Sequence, residues 1–231
     1  DPLQEKGQGL RNPVNGGQNG PARARKVNIL ESFGHLDCPT CPEAEKKLIP
    51  YFGEPNLLIV NYHVRFGTAP DPWETPGNQI VYDSYGFTSH PQVKLNGKNG
   101  YYGMPEANLK FQQDYDLLLA ALKTRDSTSP LLVVIDTAGV LYDTSQFNIT
   151  LPFSAENLDT ASLGPLSFRA MAVKNLPVVF SFRENDPWEA IVVETVSKAS
   201  AGADLAIGSL SPGGRKNFEV LIDLKDEALK H

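Results

Sequence analysis

Two cysteines, Cys38 and Cys41, bracket Pro39-Thr40, and the chain contains no others. A structural disulfide framework spreads its cysteines to close long loops, because the entropy removed from the unfolded chain grows with loop length. A pair this close points instead to redox chemistry or to metal binding. A CxxC between a strand and a helix puts the first sulfur at the helix N-terminus, where unpaired backbone N–H groups and the helix dipole favour an anion. Cys38 is therefore expected to be the exposed, attacking thiolate, ionising more readily than a free cysteine with its pKa of about 8.5. Cys41, one turn on, is the expected resolving thiol, and a nucleophile with such a partner is what disulfide exchange requires. A zinc site normally brings a second CxxC or two histidines at ligand spacing, and neither is present.

Other polar residues fall near this motif. His35 stands three residues before Cys38, as an electrostatic neighbour or a plain loop residue. His63 ends an apolar run and His90 precedes Pro91. Together with the cysteines these histidines keep a copper or zinc carrier open as an alternative. Asp71, Trp73 and Glu74 lie in a Pro-rich stretch, read as a stiffened connection or as a lid over substrate. Tyr101 and Tyr102 read as packing residues, and Asn148-Ile149-Thr150 matches the glycosylation triplet without further support.

The elements that must position these residues alternate along residues 26–125. A strand is expected at 27–32. A helix at 39–51 follows, with Ala44, Leu48 and Ile49 on one side and Pro42 tolerated in its first turn. Residues 56–63 (NLLIVNYH) form a continuous apolar run, the pattern of a buried central strand. A loop at 64–78, a short helix at 79–85 and strands at 92–96 and 101–103 around Gly97-Lys98-Asn99-Gly100 come next. An amphipathic helix is expected at 107–123. Beyond a linker at 126–130, β-type runs recur at 131–137, 146–151, 166–173, 177–183, 190–196, 204–209 and 218–224. That spacing fits an antiparallel immunoglobulin-like sandwich over 130–231, without the cysteine pair of antibody domains.

With 231 residues, 41% of them hydrophobic, the chain can build two cores. The formal charge of −6 and the lack of a basic stripe argue against nucleic acid as a partner. No apolar run reaches the roughly 20 residues that span a bilayer. Residues 1–25 are rich in Gly, Asn, Gln and Pro and read as a flexible leader, a candidate tether to a membrane.

The strand followed by Glu31-Ser32-Phe33, then Cys38-Pro39-Thr40-Cys41-Pro42, Val60-Asn61-Tyr62-His63-Val64, Asp71-Pro72-Trp73 and His90-Pro91-Gln92-Val93 with Asn96-Gly97, resembles the thioredoxin-like superfamily. More narrowly it is similar to secreted bacterial proteins related to outer membrane protein 28. The resemblance covers roughly residues 26–105. It implies an α/β thioredoxin-like domain at 26–125 followed by the all-β sandwich. It also implies a cis His90–Pro91 bond facing the dithiol. Pro91 would then shape the substrate groove, with His90 and Trp73 as substrate contacts. The expected activity is thiol–disulfide exchange on protein thiols or disulfides outside the cytoplasm, with no cofactor. The alternative is a non-catalytic secreted or surface binding protein, or the metal carrier.

Overall fold

The computed structural model of the protein describes residues 22–41, 44, 47–65, 67–68, 71, 73–97, 99–102, 117–118, 120–124, 127–176, 188–195 and 205–223. Two compact units emerge, and neither is continuous in sequence. One is built from residues 27–125, 169–204 and 222–231, the other from 1–26, 126–168 and 205–221.

The first unit is organised on a six-stranded sheet. Its strands are β2 (Asn28–Gly34), β3 (Leu57–His63), β4 (Gln92–Leu95), β5 (Asn99–Tyr102), β11 (Met171–Leu176) and β12 (Trp188–Thr195), in the order β11-β12-β3-β2-β4-β5. β3 runs parallel to β2 and to β12, and the other pairings are antiparallel. Both faces of this sheet are covered, which is why β3 reads as a continuous apolar run rather than an alternating one. On one face Leu30, Ile59, Val93 and Leu95 pack with Ala44 and Leu48, which follow the dithiol, and with the helical residues Leu118 and Leu122. On the other face Phe33, Val60, Tyr62 and Val64 pack with Val81 and Tyr82 of α1 (Pro76–Ser84). Each such side chain, fully buried, contributes about 1.5–3 kcal/mol. α1 starts where its sequence allows: Thr75, in extended conformation, accepts a hydrogen bond from the Asn78 N–H at 3.1 Å, and Pro76 occupies the first turn.

The second unit contains β1 (Ala24–Arg25) paired with β6 (Thr128–Ser129). It also holds a sheet of β14 (Arg215–Asp223), β9 (Asn148–Asn157) and β7 (Leu131–Ile135), with β8 (Leu141–Asp143) on β9, and the pair β10 (Leu163–Phe168) and β13 (Leu205–Leu210). Phe153 of β9 stacks on Phe168 of β10 at 3.9 Å and on Phe218 of β14 at 5.1 Å, so aromatic side chains join the two sheets face to face.

This architecture corrects the expected α/β thioredoxin-like domain followed by an immunoglobulin-like sandwich. Among the described residues the chain is mostly β, with α1 of 9 residues and shorter helical stretches. The run expected at 166–173 is two strands, split between the units, and β11 and β12 extend the sheet of the first unit. A period-2 apolar pattern says that a strand has a buried face, not which sheet it joins. The expected linker contains β6, and the expected leader contains β1. The turn after β4 is also earlier than expected: Asn96 and Gly97 take left-handed conformations at φ 54° and 67°, and Asn99 already pairs with Leu95. Residues 107–116 and 119 of the expected helix, residue 103 of the expected strand and the run at 177–183 lie outside the described residues.

Candidate functional site

The parallel register Gly34↔His63 and the antiparallel register Phe33↔Gln92 bring the ends of β2 and β3 and the start of β4 to one edge of the sheet. Residues 35–40 leave β2 there, and a helical segment begins at Cys41, with the Ala44 N–H reaching back to the Thr40 carbonyl at 3.4 Å. Cys38 and Cys41 are joined by a disulfide, their Cα atoms 5.5 Å apart. The Cys41 N–H donates to Cys38 Sγ at 3.1 Å, and Thr40 Oγ1 lies 3.6 Å from the same sulfur. Cys38 thus receives the backbone donor that the start of a helical segment offers.

Cys38, expected to be exposed, is only 1% exposed, and Cys41 is fully buried. Their neighbours Leu36, His35 and Leu48 are buried as well.

His35 serves this loop as a hydrogen-bonding group: its Nδ1 accepts the Asp37 N–H at 2.9 Å, and its carbonyl accepts the Cys38 N–H at 3.1 Å. His63 donates from Nδ1 to Asp71 Oδ2 at 2.7 Å, with both side chains fully buried. The same Oδ2 accepts the Leu36 N–H at 3.0 Å, and Oδ1 accepts the Trp73 N–H at 2.9 Å. Burial alone would raise the Asp71 carboxyl. The hydrogen bond and charge of His63 and the two backbone N–H groups outweigh it, holding the carboxyl below the usual carboxylate range. α1 reinforces the arrangement, because Asn78 Nδ2 donates to the His63 carbonyl at 3.2 Å and to the Trp73 carbonyl at 3.4 Å.

The His90–Pro91 bond is cis, as the resemblance implied, and a second cis bond joins Gly164 to Pro165. His90 and Pro91 are both buried. The His90 ring donates from Nε2 to the Arg65 carbonyl at 3.0 Å and sits 5.0 Å from Tyr82, and burial pushes its pKa down. Trp73 is likewise buried, at 6% exposure. His35, Cys38, Cys41, Asp71, Trp73, His63, His90 and Pro91 thus belong to one unit and to segments meeting at one sheet edge. No three His, Cys, Asp or Glu side chains among the described residues converge on a point that could hold a metal ion.

A second polar cluster had no motif to announce it. Glu31, on the α1 face of β2, is 5% exposed. Its carboxylate accepts the Tyr62 hydroxyl at 3.2 Å and the Tyr85 hydroxyl at 2.7 Å and pairs with Arg169 at 3.5 Å. Lys94 Nζ lies 5.2 Å from the Tyr85 ring centroid. The signal in the sequence was a lone carboxylate inside the apolar strand NILESFG, since buried charges require partners.

No protein-family model matches the chain. No curated protein matches it either. Among solved structures it is similar in fold to HBP35 of Porphyromonas gingivalis, with a TM-score of 0.57 at 14% sequence identity; the match covers 87% of this chain and 65% of HBP35, so the chain spans less than two thirds of that neighbour's length. A crystal structure of a protein from Agrobacterium tumefaciens aligns with a TM-score of 0.43 at 15% identity, over 85% of this chain and 78% of that one. At these identities the first likeness is one of fold, and the second is too distant to carry an argument.

Proposed function

We propose that the protein exchanges disulfides with protein thiols or disulfides outside the cytoplasm, through Cys38 and Cys41. The observation that carries this reading is the Cys38–Cys41 disulfide at the start of a helical segment, with the Cys41 N–H on Cys38 Sγ at 3.1 Å. On reduction the same N–H is placed to donate to a Cys38 thiolate, and such a charge-assisted hydrogen bond favours the thiolate over the thiol. Cys38 is then the better leaving and attacking sulfur, and Cys41 the resolving one. The resemblance of residues 26–105 to secreted bacterial proteins related to outer membrane protein 28 supports the extracytoplasmic setting. Among the described residues no helix is long and apolar enough to cross a membrane.

In the oxidising direction a partner thiolate attacks Cys38 Sγ. The Cys38–Cys41 bond breaks, and Cys41 leaves as a thiolate that takes a proton from water. A second partner thiolate attacks the partner sulfur of this mixed disulfide and releases Cys38 as a thiolate. The partner loses two electrons and the protein gains them; the reverse sequence reduces a partner disulfide. Both sulfurs are buried in the disulfide state, so exchange requires local opening to admit the attacking group.

The test is capture. Reduced protein carrying Cys41→Ser should accumulate mixed disulfides with proteins of an extracytoplasmic extract, because the resolving thiol is gone, while Cys38→Ser should capture nothing. Wild-type protein should reduce insulin. Absence of both capture and insulin reduction sinks the reading.

A further inference from the structure

We propose that Asp71 is a positioning residue for the Cys38–Cys41 dithiol, its single buried carboxylate clamping the loop that carries Cys38, the His63 imidazole and the Trp73 turn into one arrangement. The proposal rests on the exchange reading above and names a residue through which that site is held.

Three donors converge on this carboxylate from separate segments: Leu36 N–H of the dithiol loop and His63 Nδ1–H of β3 on Oδ2, and Trp73 N–H on Oδ1. Leu36 stands two residues before Cys38. Within the segment 35–38 the Cys38 N–H donates to the His35 carbonyl and the Asp37 N–H to His35 Nδ1, both local bonds. Asp71, 35 residues away in sequence, is a long-range anchor of the segment leading into Cys38. It is also tied to α1, because Asn78 holds the carbonyls of both His63 and Trp73. A carboxylate offers acceptor sites on both oxygens, whereas an amide of the same shape offers one accepting oxygen and an NH₂ group that cannot accept. Asn in its place serves either the Trp73 side or the Leu36 and His63 side, but not both. Attack on a sulfur needs alignment, and a shift of the supporting loop by about 1 Å is enough to slow a reaction by about a hundredfold.

Asp71→Asn should therefore slow insulin reduction by about tenfold or more and shift the reduction potential of Cys38–Cys41. An Asp71→Asn protein with wild-type rate and potential overturns the proposal. Should Asp71→Asn not fold, the wild-type protein decides. The amide resonances of Leu36 and Trp73 should titrate together, with one midpoint below the usual carboxylate range, while β2 stays folded. Separate midpoints, or none, overturn the clamp. Wild-type protein that neither reduces insulin nor forms mixed disulfides refutes the exchange reading instead, and the paired amide titration still tests the clamp.

Discussion

Replacing Glu31 probes how much of the first unit hangs on one buried carboxylate. Its Oε1 accepts the Tyr62 hydroxyl and faces Arg169, and its Oε2 accepts the Tyr85 hydroxyl. In Glu31→Gln one oxygen still accepts, the amide nitrogen cannot, and Arg169 loses its counter-charge. Tyr62 can turn toward Met171 Sδ, 3.5 Å away, but a thioether is a weak acceptor. A hydrogen bond to a charged group contributes about 1.5–3 kcal/mol, so losing one, with the ion pair partly wet at the Arg169 side, should cost about 2–3 kcal/mol. Glu31→Ala removes both carboxylate acceptors and leaves a void, for about 3–5 kcal/mol. Tyr85→Phe alone should cost about 1 kcal/mol. Combined with Glu31→Gln it should cost less than the sum of the two, because they share the bond being lost. Urea unfolding followed by circular dichroism measures all three, with the midpoint moving at constant slope. A Glu31→Gln protein within about 0.5 kcal/mol of wild type, or a strictly additive cycle, would refute the reasoning.

Two further outcomes follow from neighbouring features. Burial and then the Glu31 charge raise the Tyr62 hydroxyl; burial and then the hydrogen bond to Glu31 raise that of Tyr85. Raised folded values mean that the stabilisation is complete below the unfolded tyrosine pKa of about 10 and is lost as pH climbs toward the folded values. Stability should thus fall by about 2.7 kcal/mol per pH unit above that point while the two tyrosines ionise only in the unfolded chain. In an ultraviolet titration two of the eight tyrosines should resist ionisation until the protein unfolds, and eight equivalent ionisations would contradict this. In the second unit, Asn157 is fully buried and bonds the Ala161 and Leu210 carbonyls and the Asp159 N–H. Asn157→Ala strands two carbonyls and should destabilise by about 2–3 kcal/mol in thermal or urea unfolding; an unchanged midpoint would show that water replaces the amide.

Local pattern and long-range pairing divided the work of specifying this protein. The apolar run ending at His63 was legible because burial acts over a few residues, whereas Pro76–Asn78, read as loop, form the first turn of α1, and the cis bond before Pro91 was an expectation from the resemblance. The dithiol was legible for the same reason: two cysteines separated by Pro39-Thr40 can meet whatever the rest of the chain does. Strand partnership was not legible. β11 and β12 were read as sandwich strands, yet β12 pairs in parallel with β3, well over a hundred residues earlier, and a local pattern cannot name so distant a partner. Nor could spacing show that Asp71 would reach Leu36, or that Glu31 would meet Tyr62, Tyr85 and Arg169. Those contacts exist because a buried carboxylate must be satisfied from whichever segments the packed sheet brings within hydrogen-bonding distance, and that is a property of the tertiary structure alone.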